Sequence, residues 1–127
     1  MEPITHGLSG AIIACTLPRS SRTWWFPLWA ALTAMIPDVD VFFVRSPVDY
    51  IEFHRGITHS LAGGWVLALG CALVLVMFAH VRLKPHRLGE PPSPRPWSLM
   101  GGWSMAYLLI LHHIFLDCMN SYGTQVF

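Results

Sequence analysis

Residues 61–79 read "LAGGWVLALGCALVLVMFA", nineteen positions without a charged side chain. A helix of that length rises just under about 30 Å, the thickness of a bilayer's hydrocarbon core. The stretch therefore predicts a transmembrane helix, and the rest of the chain is read around it. Residues 97–116, "WSLMGGWSMAYLLILHHIFL", are as long and as apolar once His112 and His113 are neutral, and predict a second span. Two shorter runs are ambiguous. Residues 24–36, "WWFPLWAALTAMI", number thirteen and residues 7–17 number eleven, so each fits a short span, a re-entrant piece or a helix packed on the other two. Pro18 and Pro37 are plausible stops, because proline cannot continue the helical hydrogen-bond ladder.

Composition agrees with a membrane setting. Of 127 residues, 54% are hydrophobic and only 12% charged, against about 25% charged in ordinary soluble domains. The length allows one domain, residues 1–127. A net charge of +1 carries no general attraction to nucleic acid or acidic lipid, so no nucleic-acid partner is expected. Cys15, Cys71 and Cys118 stand singly in apolar stretches, without the spacing of a disulfide framework or a thiolate zinc site, and are expected as small buried hydrophobes. The N-terminus has no basic region ahead of its apolar run, which argues against a cleaved signal peptide. Residues 80–97 carry five prolines and four Lys or Arg and read as an irregular solvated connector.

Charge then orients the chain. If all four runs cross, Arg19, Arg22, Arg82, Lys84, Arg87 and Arg95 fall on one side, six of the eight basic residues. The other side receives Arg45 and Arg55 with six of the seven acids, Glu2, Asp38, Asp40, Asp49, Glu52 and Asp117. Lys and Arg mark the cytoplasmic side, so the acids face outward. The same folding brings His6, Asp38, Asp40, His54, His59, His113 and Asp117 toward one face. Three crossings would separate them.

Neutral imidazoles and carboxylates are the nitrogen and oxygen ligands of zinc, manganese and iron, and catalytic zinc keeps a position open for water. His113 and Asp117 are four apart, hence on one helical face and able to grip one ion. Asp38 and Asp40 in "PDVD" share a face only in an extended segment, where one is a ligand and the other a bridge, second ligand or base. Each has a plainer reading as well: His6 as a helix-end residue, the two aspartates as interfacial charges, His54 and His59 as headgroup-level polar groups. Asp117 resists that reading, because a carboxylate near mid-membrane costs roughly 2.5–3.5 kcal/mol and needs a partner. His112 lies about 100° around the helix from His113 and reads as structural or supporting. His80 and His86 fall with the basic connector and read as solvated. Arg55 either pairs with Glu52 or holds a substrate phosphate, and Thr58 and Ser60 are capping residues for the third helix, with Thr58 as the N-cap. Gly56 allows close backbone approach, and "NSYGT" at 120–124 reads as a turn, with Asn120 as a helix cap.

The motifs "PITHGLSGA", "IPDVD", "HRGITHS" and "HIFLDCMNSYGT", in that order along nearly the whole chain, resemble those of the YdjM/YbcI-like membrane-bound proteins classed as predicted metal-dependent hydrolases. The resemblance implies an all-α, multi-pass inner-membrane bundle of about four helices. It also implies a metal site made from His6, Asp38, Asp40, His54, His59, His113 and Asp117. That family is distantly similar to the helical zinc phospholipase C and P1 nuclease group, which implies a phosphodiester or phospholipid substrate. Family members continue past "YGT" whereas this chain stops at "QVF", so a missing C-terminal portion is one expectation.

The leading expectation is a membrane-bound hydrolase with a divalent metal, zinc by ligand type, on the outer face of the inner membrane. Asp40 or a non-ligating histidine serves as general base and Arg55 steadies developing negative charge. Membrane lipid is the expected neighbour and a lipid or small molecule the substrate. Two alternatives stand beside it: a non-catalytic protein that binds or relays metal or protons, and a structural subunit whose polar residues only satisfy helix ends.

Overall fold

The computed structural model describes residues 3–18, 24–43, 57–82 and 98–119. Among these every regular element is helical and no strand is present. The helices are α1 (Pro3–Thr16), α2 (Phe26–Met35), α3 (Leu61–Arg82) and α4 (Leu99–Cys118), with 3-10 turns at Ile36–Phe43 and Ile57–His59. The connector beyond Arg82, the segment holding His54 and Arg55, and the "NSYGT" turn lie outside the described residues.

Proline sets several boundaries. Pro3 opens α1 and Pro27 sits in the first turn of α2, where its missing N–H has no helical partner to lose. Consequently α1 starts four residues before the expected run, and α2 starts two residues after Trp24. At Pro37 the chain does not stop but tightens, and α2 passes directly into the 3-10 turn Ile36–Phe43. Ser98 caps α4, its hydroxyl accepting from Gly101 N–H at 3.1 Å. Ser60, not Thr58, does this for α3, accepting from Gly63 N–H at 3.0 Å.

The four helices pair antiparallel in two hairpins. In the first, Gly7 faces Met35 and Ala31 while Gly10 faces Ala34 and Ala30. A Cβ on Gly10 would stand 2.7 Å from the Ala34 Cβ and 2.8 Å from the Ala30 carbonyl oxygen, so the two backbones touch only because the side chain is absent. In the second, Gly64 lies against Ile110 and Gly102 against Leu75 and Ala72. Phe26, Trp29, Ala68, Leu75, Leu109 and Ile110 fill the space between hairpins, and the Trp29 indole donates to the Cys71 carbonyl at 3.2 Å.

Leu61–His80 and Leu99–Cys118 have the length and apolarity to cross a membrane. Only 28% and 33% of these windows is buried, which separates them from core helices of a soluble protein. Their outward Val66, Leu69, Leu73, Val74, Met77 and Leu108 suit lipid. Helices α1 and α2, at 14 and 10 residues, rise only about 21 and 15 Å. Cys71 is buried as expected, but Cys15 and Cys118 are exposed, on the helix surfaces that face away from the bundle.

Candidate metal centre

The start of α1, the end of α2, the start of α3 and the end of α4 lie at one end of the bundle, and each delivers a polar residue there. His6, His59, His113 and Asp117 are fully buried, and Asp38 is 7% exposed. Charged or titratable groups buried this deeply need partners.

Asp38, His59, His113 and Asp117 each direct one ligand atom to a common point, all four atoms lying within 4.8 Å of one another. The Nε2 atoms of His59 and His113 are 3.1 Å apart. Asp38 Oδ1 is 3.5 Å from each of them, and Asp117 Oδ2 is 3.4 Å from each. A tetrahedral ion with bonds of about 2.0–2.1 Å has ligand–ligand edges of roughly 3.3–3.4 Å. Five of the six edges are thus at the separation that a single zinc-sized ion sets.

The far sides of the two rings decide what the near sides present. His113 Nδ1 donates to the Ala34 carbonyl of α2 at 2.7 Å, leaving the Nε2 lone pair of the neutral ring directed inward. His59 Nδ1 meets the Thr58 hydroxyl at 3.0 Å, and that hydroxyl donates to Asp40 Oδ2 at 2.8 Å. With its one hydrogen given to Asp40, the hydroxyl accepts from His59 Nδ1–H, and this Nε2 also faces inward as a lone pair. Two imidazole lone pairs and two carboxylate oxygens around one point repel one another until a cation or protons occupy it.

The titration of the groups outside the spans says the same. Burial pushes the Asp38 carboxyl up, but hydrogen bonds from His113 and His59, once these imidazoles carry a proton on Nε2, outweigh it and hold the group below the ordinary carboxylate range. Burial pushes the His59 imidazole down, yet its hydrogen bonds with Asp117 and Asp38 raise it above its ordinary value. The point that attracts a metal ion attracts a proton in its place.

The other expected residues take other places. His6 Nε2 donates to Asp117 Oδ1 at 3.2 Å and its ring lies against that of His113, centroids 3.8 Å apart, so it supports two members of the set from behind. Asp40 stands on the opposite edge of His59 from the common point. In a 3-10 turn residues two apart are about 240° around the axis, whereas the extended segment expected from sequence would have put both aspartates on one face. His112 stays outside the set, its buried Nε2 having no hydrogen-bond partner among the described residues. His80 is exposed and donates to the Val76 carbonyl. His54 and Arg55 lie outside the described residues.

Sequence reasoning passed over two participants. The Ala34 carbonyl leaves no trace in sequence, since every residue has one. Thr58 does leave a trace, a hydroxyl residue immediately before a candidate ligand in "ITHS". By residue type and position alone it reads as a helix cap.

A family model described as YdjM inner membrane protein matches residues 1–127. The chain belongs to the YdjM inner membrane protein family. No curated protein and no solved structure matches it. Family and apolar helices together make this chain an inner-membrane protein, with a buried His/Asp cluster that has metal-binding potential.

Proposed function

We propose that this YdjM-family chain is a multi-pass, membrane-bound metal-dependent hydrolase, with zinc at the Asp38/His59/His113/Asp117 point and a phosphoester or phospholipid-like substrate. The observation that carries the reading is the inward convergence of two imidazole Nε2 atoms, 3.1 Å apart, with both Nδ1 atoms committed elsewhere.

The donor set supports hydrolysis over a purely structural ion. Structural zinc sites are built largely from thiolates, catalytic ones from imidazole and carboxylate. No cysteine is among the four ligands. When bound, a divalent ion supplies Lewis acidity and lowers the pKa of a water toward about 7. His59 and His113 would hold it through Nε2, with Asp38 Oδ1 and Asp117 Oδ2 completing the set. Asp38 Oδ2 is buried without a hydrogen-bond partner among the described residues, which would leave it to accept a hydrogen bond from the attacking water and orient it. Arg55, next to His54 in sequence, is assigned to the negative charge developing on the phosphoryl oxygens. The excess of Arg and Lys in the connecting stretches of the sequence supports a site on the opposite, outer face, next to lipid headgroups as substrate.

One observation favours the second reading, a metal-binding or relay protein without catalysis. Four protein ligands already complete a tetrahedron, whereas catalytic zinc commonly has three. Hydrolysis then needs a fifth position on the ion. The test is turnover of phosphodiester and phospholipid substrates by the purified protein in nanodiscs. Turnover abolished by a chelator and restored by zinc is expected. Stoichiometric metal without turnover selects the second reading, and absence of stoichiometric metal overturns both.

A further inference from the structure

We propose that Thr58 is the positioning residue of the metal centre: its hydroxyl holds His59 as the Nδ1–H tautomer, and Asp40 makes that hydroxyl an acceptor. The proposal rests on the metal-centre reading for its purpose, but its geometry is independent of any ion.

His113 and His59 solve one problem in two ways. The backbone carbonyl of Ala34 can only accept, so it fixes the His113 tautomer without help. A hydroxyl can accept or donate. Left alone, Thr58 could turn and give its hydrogen to His59 Nδ1, which would move the ring hydrogen to Nε2 and close the ligand position. Asp40 removes that freedom. Its Oδ2 takes the Thr58 hydrogen at 2.8 Å, so that only a lone pair is left toward His59 Nδ1 at 3.0 Å. A direct bond does not substitute for this path, because Asp40 Oδ2 lies 3.7 Å from Nδ1, beyond hydrogen-bonding distance.

The 3-10 turn Ile36–Phe43 explains why both aspartates of "PDVD" are needed. Asp38 approaches His59 from the Nε2 side at 3.5 Å, and Asp40 approaches from the Nδ1 side through Thr58. One turn therefore grips both edges of one imidazole. Residues expected from sequence to be a helix cap and a ligand or base are reassigned to a single task, aiming the lone pair of another residue. Partners behind a metal-bound histidine typically change metal affinity about 10–100-fold when removed.

Cobalt(II) titration of the full-length protein in nanodiscs, followed by the visible d–d bands, tests the proposal together with nitrogen-15 NMR of the imidazoles in metal-stripped protein at alkaline pH. Thr58→Val and Asp40→Ala are expected to weaken cobalt binding by about 10–100-fold, to alter the d–d bands, and to move His59 toward the Nε2–H tautomer. Thr58→Ser keeps the hydroxyl and is expected to restore affinity, spectrum and tautomer. The double variant should lose no more than the larger single loss, because both changes break one path. Thr16→Val, removing an exposed hydroxyl that donates to the Ile13 carbonyl of its own helix, is the control and should change nothing. Retention of the Nδ1–H tautomer in both Thr58→Val and Asp40→Ala overturns the proposal, as does equal loss in the Ser and Val variants. If the wild-type chain binds no cobalt, the metal reading fails by itself while the tautomer still decides the role of Thr58.

Discussion

Helices α1 and α2 run 14 and 10 residues and touch through glycine and alanine, whereas α3 and α4 run 22 and 20 and turn much of their Leu, Val and Met outward. The second hairpin has the length to cross a bilayer; the first lies against it. Yet the first hairpin brings Asp38, the Ala34 carbonyl that fixes His113, and the His6 that supports Asp117. The second brings His113 and Asp117, with His59 immediately before α3. Anchoring and aiming are thus divided between halves, and the centre exists where they meet.

The division is broken most severely by removing a ligand that joins the halves. In His113→Ala the proposed ion would lose a nitrogen ligand, and the buried Ala34 carbonyl loses its donor. Stoichiometric metal in the wild type is expected to become undetectable in this variant by elemental analysis after gel filtration. Retention of metal by the variant would remove His113 from the set.

A smaller but more telling effect is expected from Gly10→Leu, which touches no ligand. Its Cβ would meet the Ala30 carbonyl oxygen at 2.8 Å, and a backbone atom cannot swing aside as the end of the Met35 side chain can at Gly7. Prising α1 from α2 should cost about 1–3 kcal/mol in denaturant unfolding. It should also lower metal affinity, because Ala34 and His6 move with the two helices. Full metal affinity in a destabilised Gly10→Leu protein would show that the first hairpin does not aim the site.

Acid sharpens the same comparison. His59 has a raised pKa and so takes up a proton, in competition with the ion, at higher pH than an ordinary imidazole. Asp38, held below the usual carboxylate range, stays ionised throughout and contributes no such loss. Apparent zinc affinity should therefore be highest above the His59 pKa. It should begin to fall before pH reaches about 6.5, by about tenfold per unit for each proton displaced. Chelator-competition titrations across pH measure this, and an affinity flat down to pH 6 would exclude His59 as a ligand.

Legibility from sequence followed the physics of each element. The long helices were read to within a few residues because nineteen uncharged positions have few alternatives in water or lipid. Their ends were less certain: Thr58 and Ser60 are equally good caps by type, and only the hydrogen bonds show that Ser60 caps α3 while Thr58 turns to Asp40. The gathering of His6, Asp38, His59, His113 and Asp117 at one end was legible because alternating helices return to the same side. Their division of labour was not. Whether Asp38 or Asp40 faces the common point depends on a 3-10 turn at Pro37, where a proline read from sequence as a stop only tightens the helix. A carbonyl partner such as Ala34 O is invisible to residue type altogether.

The slightest change is expected from a glycine of the second hairpin. Gly70 lies mid-way along α3, and a Cβ there would meet nothing within 4 Å, in contrast to the 2.7 Å approach at Gly10. No close packing among the described residues requires this glycine, and alanine forms helix better by about 0.5–1 kcal/mol. Gly70→Ala should therefore leave metal affinity unchanged and stability equal or up to about 1 kcal/mol higher. A clear loss of stability in that variant would mean that the open face of α3 carries a close contact of its own, beyond those the second hairpin already makes at Gly64 and Gly102.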